Sequence, residues 1–134
     1  MTASANQASA DTSPILTRKQ GGVTTLTMNA PKRLNGWTPQ MMEALKEGLS
    51  AAALDDETRV LVLTGADPYY CAGVNLAGSF QVHHPRKMHA VIVKNNQALF
   101  NAFLDFPKPL LVAVNGPAIG ASVMITAVTD SGGF

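Results

Sequence analysis

Two short apolar runs restrict the fold of this chain more than any other feature of its sequence. VLVLT (60–64) and LLVAV (110–114) are uncharged and rich in branched side chains, which is typical of strands that are buried on both faces of a sheet. Each run is preceded by a segment whose apolar residues recur every three or four positions, the spacing of a helix with one apolar face. Helices that alternate with buried strands predict an α/β fold built in layers.

The helices have recognisable boundaries. The first is predicted to begin at Thr38-Pro39, where a capping hydroxyl precedes a proline, and to end at Asp55-Asp56. Its apolar face comprises Met41, Met42, Leu45, Leu49, Ala52 and Ala53. The second is predicted from about Lys87 to Phe106. Its apolar stripe comprises Met88, Val91, Ile92, Asn95, Leu99, Phe103 and Phe106. A third helix is predicted to begin at Ala121.

The N-terminal part predicts a hairpin after an unstructured leader. Residues 1–14 are small and polar with no periodicity, and we expect them to be disordered. ILTRKQ and VTTLTM flank Gly21-Gly22 and predict two strands joined by a tight turn. The remainder, 15–134, is expected to form one domain, or part of one.

Composition excludes several classes of function. Ten basic and nine acidic residues give a net charge of +1, which provides no field for nucleic acid or an anionic membrane. The single cysteine, Cys71, excludes a disulfide framework and a cysteine-rich zinc site. His83, His84 and His89 are poorly spaced for metal binding, and no metal site is predicted.

One uncharged stretch, Pro109 to Thr129, has the length of a membrane span. Asn115-Gly116-Pro117 interrupts it, and its first five residues have the pattern of a strand. A strand, a turn and a helix are therefore favoured over membrane insertion.

Small residues follow both apolar runs, at the places where an α/β sheet usually binds ligands. Ala72-Gly73 and Gly120-Ala121 would let a ligand approach the backbone closely, and the second pair precedes a predicted helix. Two backbone N–H groups that converge on one carbonyl oxygen form an oxyanion hole. The alternative is that both are ordinary turns in which glycine supplies a positive φ. Spacing alone leaves both interpretations open.

Three segments in order carry a resemblance to a known family. GGVTTLTMNAPKRLNG, VLVLTGADPYYCAGVNL and DFPKPLLVAVNGPAIGASV resemble the enoyl-CoA hydratase/isomerase (crotonase) family over about residues 15 to 130. The most similar branch is that of the Δ3,Δ2-enoyl-CoA isomerases. The resemblance implies a crotonase-like ββα spiral, of which this chain carries the N-terminal half.

The resemblance also implies a site. Family members hold the thioester oxygen of an acyl-CoA with two main-chain N–H groups, and the matching positions are Ala72 and Ala121. Gly73 and Gly120 adjoin these positions and are expected to bind substrate. The loop that contacts coenzyme A matches Lys32, Arg33, Leu34 and Asn35. The two cations would suit the phosphates of the ligand, although a solvated loop explains the same residues.

The chain departs from the family at residues that carry chemistry. Met124 stands where the hydratases have a glutamate, and Asn75 stands where many members have an aspartate. The isomerase branch uses a carboxylate further downstream, beyond Phe134. We therefore expect this chain to lack the catalytic base.

Three functions are compatible with these residues. The first is an isomerase of fatty-acid β-oxidation that moves a Δ3 double bond to Δ2 through a thioester enolate. The second is a non-catalytic truncated product that binds acyl-CoA or associates with full-length subunits. The third is an enoyl-CoA hydratase.

The resemblance further implies the ligands, partners and compartment. It implies no cofactor besides the coenzyme A of the substrate, and a trimer for the full-length family. A peroxisome or mitochondrion is expected, without a peroxisomal signal in the C-terminal SGGF.

Overall fold

The structure is a computed structural model and describes residues 13–74 and 84–128. Predictions for residues 1–12, Asn75, His83 and positions beyond 128 lie outside the described residues. The strands and helices are β1 (Ile15–Gln20), β2 (Val23–Met28), α1 (Pro39–Leu54), β3 (Val60–Gly65), α2 (Pro85–Leu104), β4 (Leu110–Val112) and α3 (Ala121–Val128). A short 3-10 helix, Pro31–Arg33, lies between β2 and α1.

The four strands form one sheet in the order β1-β2-β3-β4. β1 and β2 are the predicted antiparallel hairpin, in which Ile15 lies opposite Met28. β2 and β3 are parallel, as are β3 and β4, and each parallel pair is connected through a helix. The predicted α/β order is therefore confirmed, and the carboxyl ends of β2, β3 and β4 lie at the same edge of the sheet.

Helix α1 begins and ends where the sequence predicts. Thr38 is its N-cap, and the Thr38 Oγ1 accepts a hydrogen bond from the Met41 N–H at 3.1 Å. At the other end, the Lys108 ammonium donates to the Ala52 carbonyl at 2.8 Å and to the Asp55 carbonyl at 2.6 Å. The last turn of α1 is thereby attached to the segment that leads into β4.

The hydrophobic core lies between α1 and one face of the sheet. Met41, Leu45 and Leu49 face the sheet from α1, and Leu26 and Leu61 come from the strands. The C-terminal half of α2 contributes Leu99 and Phe103, and α3 contributes Ile125. One face of each element is thus buried, as the helical and strand periodicities require.

The expectation that β3 and β4 are buried on both faces is wrong for the described residues. Along β3 buried and half-buried residues alternate, and Leu61 and Leu63 are on the covered face. β4 is an edge strand in which Leu110 is buried and Leu111 is 40% exposed. The apolar runs are continuous, but the helices of the described chain cover one face only.

The predicted apolar stripe of α2 is only half correct. The helix begins at Pro85, where the His84 Nδ1 accepts the Arg86 N–H at 3.4 Å, and it ends at Leu104. Val91 and Ile92 in its first half are 57% and 47% exposed. The reason is that α2 packs against α1 and α3 through its second half.

The uncharged C-terminal stretch forms a strand, a turn and a helix, as predicted, as far as residue 128. Among the described residues, no helix combines the length and the apolar character that a membrane crossing needs.

Candidate functional site

Three loop segments meet at the carboxyl edge of the sheet. Residues 34–37 follow β2, 71–74 follow β3, and 117–122 follow β4. The Trp37 N–H donates to the Gly73 carbonyl at 2.7 Å and joins the first two segments. The segments thus lie side by side with 71–74 in the middle. Both small-residue pairs predicted from the sequence come together here.

Cys71 joins the middle segment to the third. Its N–H donates to the Pro117 carbonyl at 3.3 Å, and its carbonyl accepts the Ile119 N–H at 3.0 Å. Both backbone groups of Cys71 therefore point towards 117–119, in a parallel β-bridge with Ala118.

Glycine is required at Gly73 for two reasons. Its φ is +80°, and a Cβ there would lie 2.5 Å from the Ile119 carbonyl oxygen. Gly120 also has a positive φ, +65°, but a Cβ would meet nothing within 4 Å. A positive φ thus explains glycine at both positions. At Gly73 glycine is also needed because two backbone segments approach each other closely.

Ala121 is the first residue of α3, as predicted. The first N–H groups of a helix have no partner within the helix, and they lie at the positive end of its dipole. Ala121 is half-buried and packs against the core, and the hydroxyl of the next residue, Ser122, lies 3.2 Å from the Cys71 carbonyl oxygen. The Ala121 N–H is therefore suited to an oxygen that carries negative charge.

The structure does not support the prediction that the Ala72 N–H is the second donor. This N–H donates to the Leu34 carbonyl at 3.0 Å. In a trans peptide unit the C=O and the N–H point in opposite directions. Because the Cys71 carbonyl points towards 117–119, the Ala72 N–H of the same unit points the other way.

Val74 is the residue that sequence reasoning missed. It forms a parallel β-bridge with Trp37, and Trp37 bonds the Gly73 carbonyl that precedes it. In such a bridge the partner bonds the residues on either side, so the N–H of Val74 itself points away from Trp37. No backbone hydrogen bond from this N–H to a described residue is present. The sequence prediction could have found Val74 by considering the direction in which each N–H of residues 71–74 points.

Asn35 has a different role from the one expected. Its side chain is fully buried and accepts the Ala30 N–H at 2.9 Å. It also donates to the Ala66 and Tyr69 carbonyls, both at 2.8 Å. With both amide hydrogens used, the side chain holds the 30–35 loop to the loop after β3 and is shielded from a ligand.

Lys32, Arg33 and Leu34 do reach the surface. Lys32 and Arg33 belong to the 3-10 helix, and both are exposed. Leu34 follows in the left-handed region, at a φ of 54°, and is 40% exposed. Two cations therefore lie directly before the first segment of the site, where an anionic ligand can reach them.

The Cys71 thiol and the Ser122 hydroxyl are both buried within the site. The thiol donates to the Asn35 carbonyl at 3.1 Å, and burial raises its pKa. A buried thiol with a raised pKa is a poor nucleophile.

Met124, one turn after Ala121 in α3, is 60% exposed. Its thioether has no proton to exchange. Among the described residues, no group of three or more histidine, cysteine, aspartate and glutamate side chains is arranged to hold a metal ion.

Comparison with known proteins identifies the family of the chain. The sequence model of the family described as enoyl-CoA hydratase/isomerase matches residues 18–131. "Enoyl-CoA delta isomerase 2" of Rattus norvegicus is 36% identical over 121 residues, which are 87% of this chain and 30% of that protein. "Enoyl-CoA delta isomerase 3, peroxisomal" of Mus musculus is 33% identical over 133 residues, 95% of this chain and 40% of that protein.

Among solved structures, the enoyl-CoA hydratase of Mycobacterium smegmatis superposes with a TM-score of 0.79 at 28% identity. The superposition covers 87% of this chain and 46% of that one. The chain therefore spans less than half the length of these relatives, and its fold is crotonase-like. Because the family model covers most of the sequence, the chain belongs to the enoyl-CoA hydratase/isomerase family.

Proposed function

We propose that this chain binds an acyl-CoA thioester and polarises its carbonyl group with the N–H groups of Val74 and Ala121. The observation that carries the proposal is that the loops bearing these donors, 71–74 after β3 and 117–122 after β4, pack against each other through the bridge between Cys71 and Ala118. The donors are backbone groups, so the site needs small neighbours, which Gly73 and Gly120 supply.

The chemical role of the two donors follows from the charge that they face. Removal of a proton next to a thioester forms an enolate, whose negative charge is mainly on the oxygen. Fixed N–H donors stabilise this oxyanion more than the neutral carbonyl, and one donor is worth about 3–4 kcal/mol in comparable sites. The dipole of α3 acts in the same direction. We infer that the family reaction served by this site is the shift of a Δ3 double bond to Δ2.

In the proposed site the described residues offer N–H donors to the carbonyl oxygen but no base. The 71–74 and 117–122 segments contain no carboxylate, and Met124 occupies the position one turn into α3. Asp67, in the loop after β3, accepts a hydrogen bond from the Asn115 side chain at 2.9 Å. We propose that proton transfer needs a carboxylate outside the described residues. Hydration, which needs two carboxylates, is disfavoured.

A non-catalytic role is the second candidate, and the exposed apolar residues favour it. Leu111 of β4 is 40% exposed, and Val123 of α3 is 48% exposed. A chain with these surfaces can associate with full-length subunits of the family. The mouse relative is named as a peroxisomal protein, which supports a peroxisomal site of action for this chain.

Isotope-edited infrared spectroscopy of a 13C-labelled hexanoyl-CoA carbonyl tests the proposal. The C=O stretch is expected to shift to lower frequency on binding, beyond its value in water. Ala121→Pro removes one donor at a helix position where proline is tolerated, and the downshift should diminish. Ala121→Ser keeps the N–H and is the matched control. An unchanged stretch in the unmodified chain would refute the proposal.

Turnover separates the two candidate functions. With 3-enoyl-CoA as substrate, the chain is expected to bind without forming the 2-enoyl product. Product formation at a rate proportional to chain concentration would instead show that a base is present in the chain.

A further inference from the structure

Ser122, the second residue of α3, is fully buried beside the two proposed donors. Its Oγ lies 3.2 Å from the Cys71 carbonyl oxygen and 2.8 Å from the Ile119 carbonyl oxygen. It also accepts the Ile119 N–H at 3.1 Å. One hydroxyl therefore contacts both the 71–74 segment and the turn that precedes α3.

The Cys71 carbonyl belongs to the same peptide unit as the Ala72 N–H. The Ile119 N–H and the Ser122 hydroxyl approach this unit from one side, and the Leu34 carbonyl accepts its N–H on the other. A peptide unit is planar, so contacts on both sides fix its orientation. The Gly73–Val74 unit, which carries the Val74 N–H, follows two peptide units later, and its carbonyl accepts the Trp37 N–H. A shift of the Cys71–Ala72 unit is passed along the chain to it.

The Ser122 contact differs from the backbone bonds between the same segments. Those bonds hold Cys71 opposite Ala118, three residues before Ala121. The hydroxyl of Ser122 comes from the first turn of α3 itself, next to the Ala121 N–H. It thus connects the helix end that carries one donor to the segment that carries the other.

We propose that Ser122 is a positioning residue that sets the spacing of the Val74 and Ala121 N–H groups. This inference rests on the proposed function, since it concerns the same oxyanion site. The hydroxyl itself is enclosed, so it acts through the two backbone segments and does not touch the substrate.

Ser122→Ala removes this connection and the contact of the hydroxyl with the Ile119 carbonyl. The backbone bond from the Ile119 N–H to the Cys71 carbonyl remains. Thr24→Val is the matched control, since Thr24 also carries a buried hydroxyl, 2.7 Å from the Thr58 hydroxyl. Thr24 lies near the start of β2, at the opposite end of the sheet.

The test measures the 13C carbonyl stretch of bound hexanoyl-CoA together with its Kd. Ser122→Ala is expected to lose at least half of the downshift that the unmodified chain gives, with little change in Kd. Thr24→Val is expected to keep the downshift, even where its melting temperature falls. Ser122→Cys retains a donor of similar size and is expected to restore part of the downshift. It also provides the measurement if Ser122→Ala does not fold.

The outcomes separate this inference from the function on which it rests. No downshift in the unmodified chain overturns the proposed function, and this inference with it. A downshift that Ser122→Ala retains in full overturns the role of Ser122 alone. An equal loss in Thr24→Val also overturns it, because the effect would then follow from general loosening of the fold.

Discussion

The Leu34 carbonyl accepts the N–H of Ala72 at 3.0 Å, between the loop after β2 and the loop after β3. This bond occupies the N–H that the family resemblance favours as an oxyanion donor. A second bond between the same loops, from the Trp37 N–H to the Gly73 carbonyl, leaves the Val74 N–H pointing away from Trp37. Which backbone groups can meet a substrate is thus decided by the pairing of the loops.

Gly73→Ala is expected to damage both the fold and the site. The new Cβ would lie 2.5 Å from the Ile119 carbonyl oxygen, at a φ of +80°. We expect a loss of more than about 2 kcal/mol in the free energy of unfolding, and loss of the carbonyl downshift. Gly21→Ala is the control, since its φ is +59° but a Cβ there meets nothing within 4 Å. Equal losses of stability in urea titrations of the two variants would contradict the close approach.

Asn35→Ala is expected to lower the free energy of unfolding by about 2 kcal/mol or more. It removes the partner of the Ala30 N–H and of the Ala66 and Tyr69 carbonyls, and an unpaired buried group costs about 1–3 kcal/mol. Asn101→Ala, on the exposed side of α2, is the control and should change the free energy of unfolding by less than about 0.5 kcal/mol. Chemical denaturation compares the two. A mild effect at Asn35 would show that its side chain is not structural.

Lys108→Met tests the attachment of α1 to β4. The ammonium donates to two carbonyls at the end of α1, and its loss is expected to cost about 1–2 kcal/mol of stability, while methionine retains most of the apolar stem. Lys46→Met removes a partly exposed ion pair with Glu43 and should cost under about 0.5 kcal/mol. The prediction fails if thermal denaturation ranks the two variants in the opposite order.

Asp55 should make stability depend on pH in the acid range. The Thr58 hydroxyl, Lys19 and the Glu57 N–H bond the carboxylate, and they lower its pKa from 3.8 to about 2. A lowered pKa stabilises the fold above the unfolded value, and this stabilisation is lost as the pH falls from 3.8 to about 2.

Asp55→Asn should therefore be less stable than the unmodified chain at pH 7, and the difference should shrink towards pH 2. The Thr58 hydrogen bond is the largest cause of the shift. In a Thr58→Val background the same substitution should show a weaker pH dependence. If the free energies of unfolding of Asp55→Asn and the unmodified chain differed by the same amount from pH 7 to pH 2, the proposed hydrogen bonds of Asp55 would be excluded.

Lys32 and Arg33 are expected to bind the phosphates of coenzyme A. Replacing both with glutamine should raise the Kd of hexanoyl-CoA roughly tenfold, at about 0.5–1 kcal/mol for each exposed ion pair. The carbonyl downshift of the bound ligand should persist. Arg86→Gln with Lys94→Gln, both exposed on α2, removes the same charge at another place. An equal rise of the Kd in both double variants would show that the effect comes from net charge.

Periodicity and local capping determined most of the secondary structure. The ends of α1 follow from Thr38-Pro39 and Asp55, since a cap and a first-turn proline act on neighbouring residues only. The hairpin follows from Gly21-Gly22, and the start of α3 at Ala121 was predicted as well. The three motifs also indicated which loops carry the site.

The sequence by itself determined which segments become strands, helices and tight turns, because these depend on residues a few positions apart. Only the tertiary structure decided which N–H groups remain available, since the direction of each N–H depends on which segment pairs with which. In the folded chain the Asn35 side chain is buried, Leu111 is partly exposed, and the Ala72 N–H bonds the Leu34 carbonyl. These outcomes depend on contacts between segments that are distant in the chain, and residue spacing carries no record of such contacts.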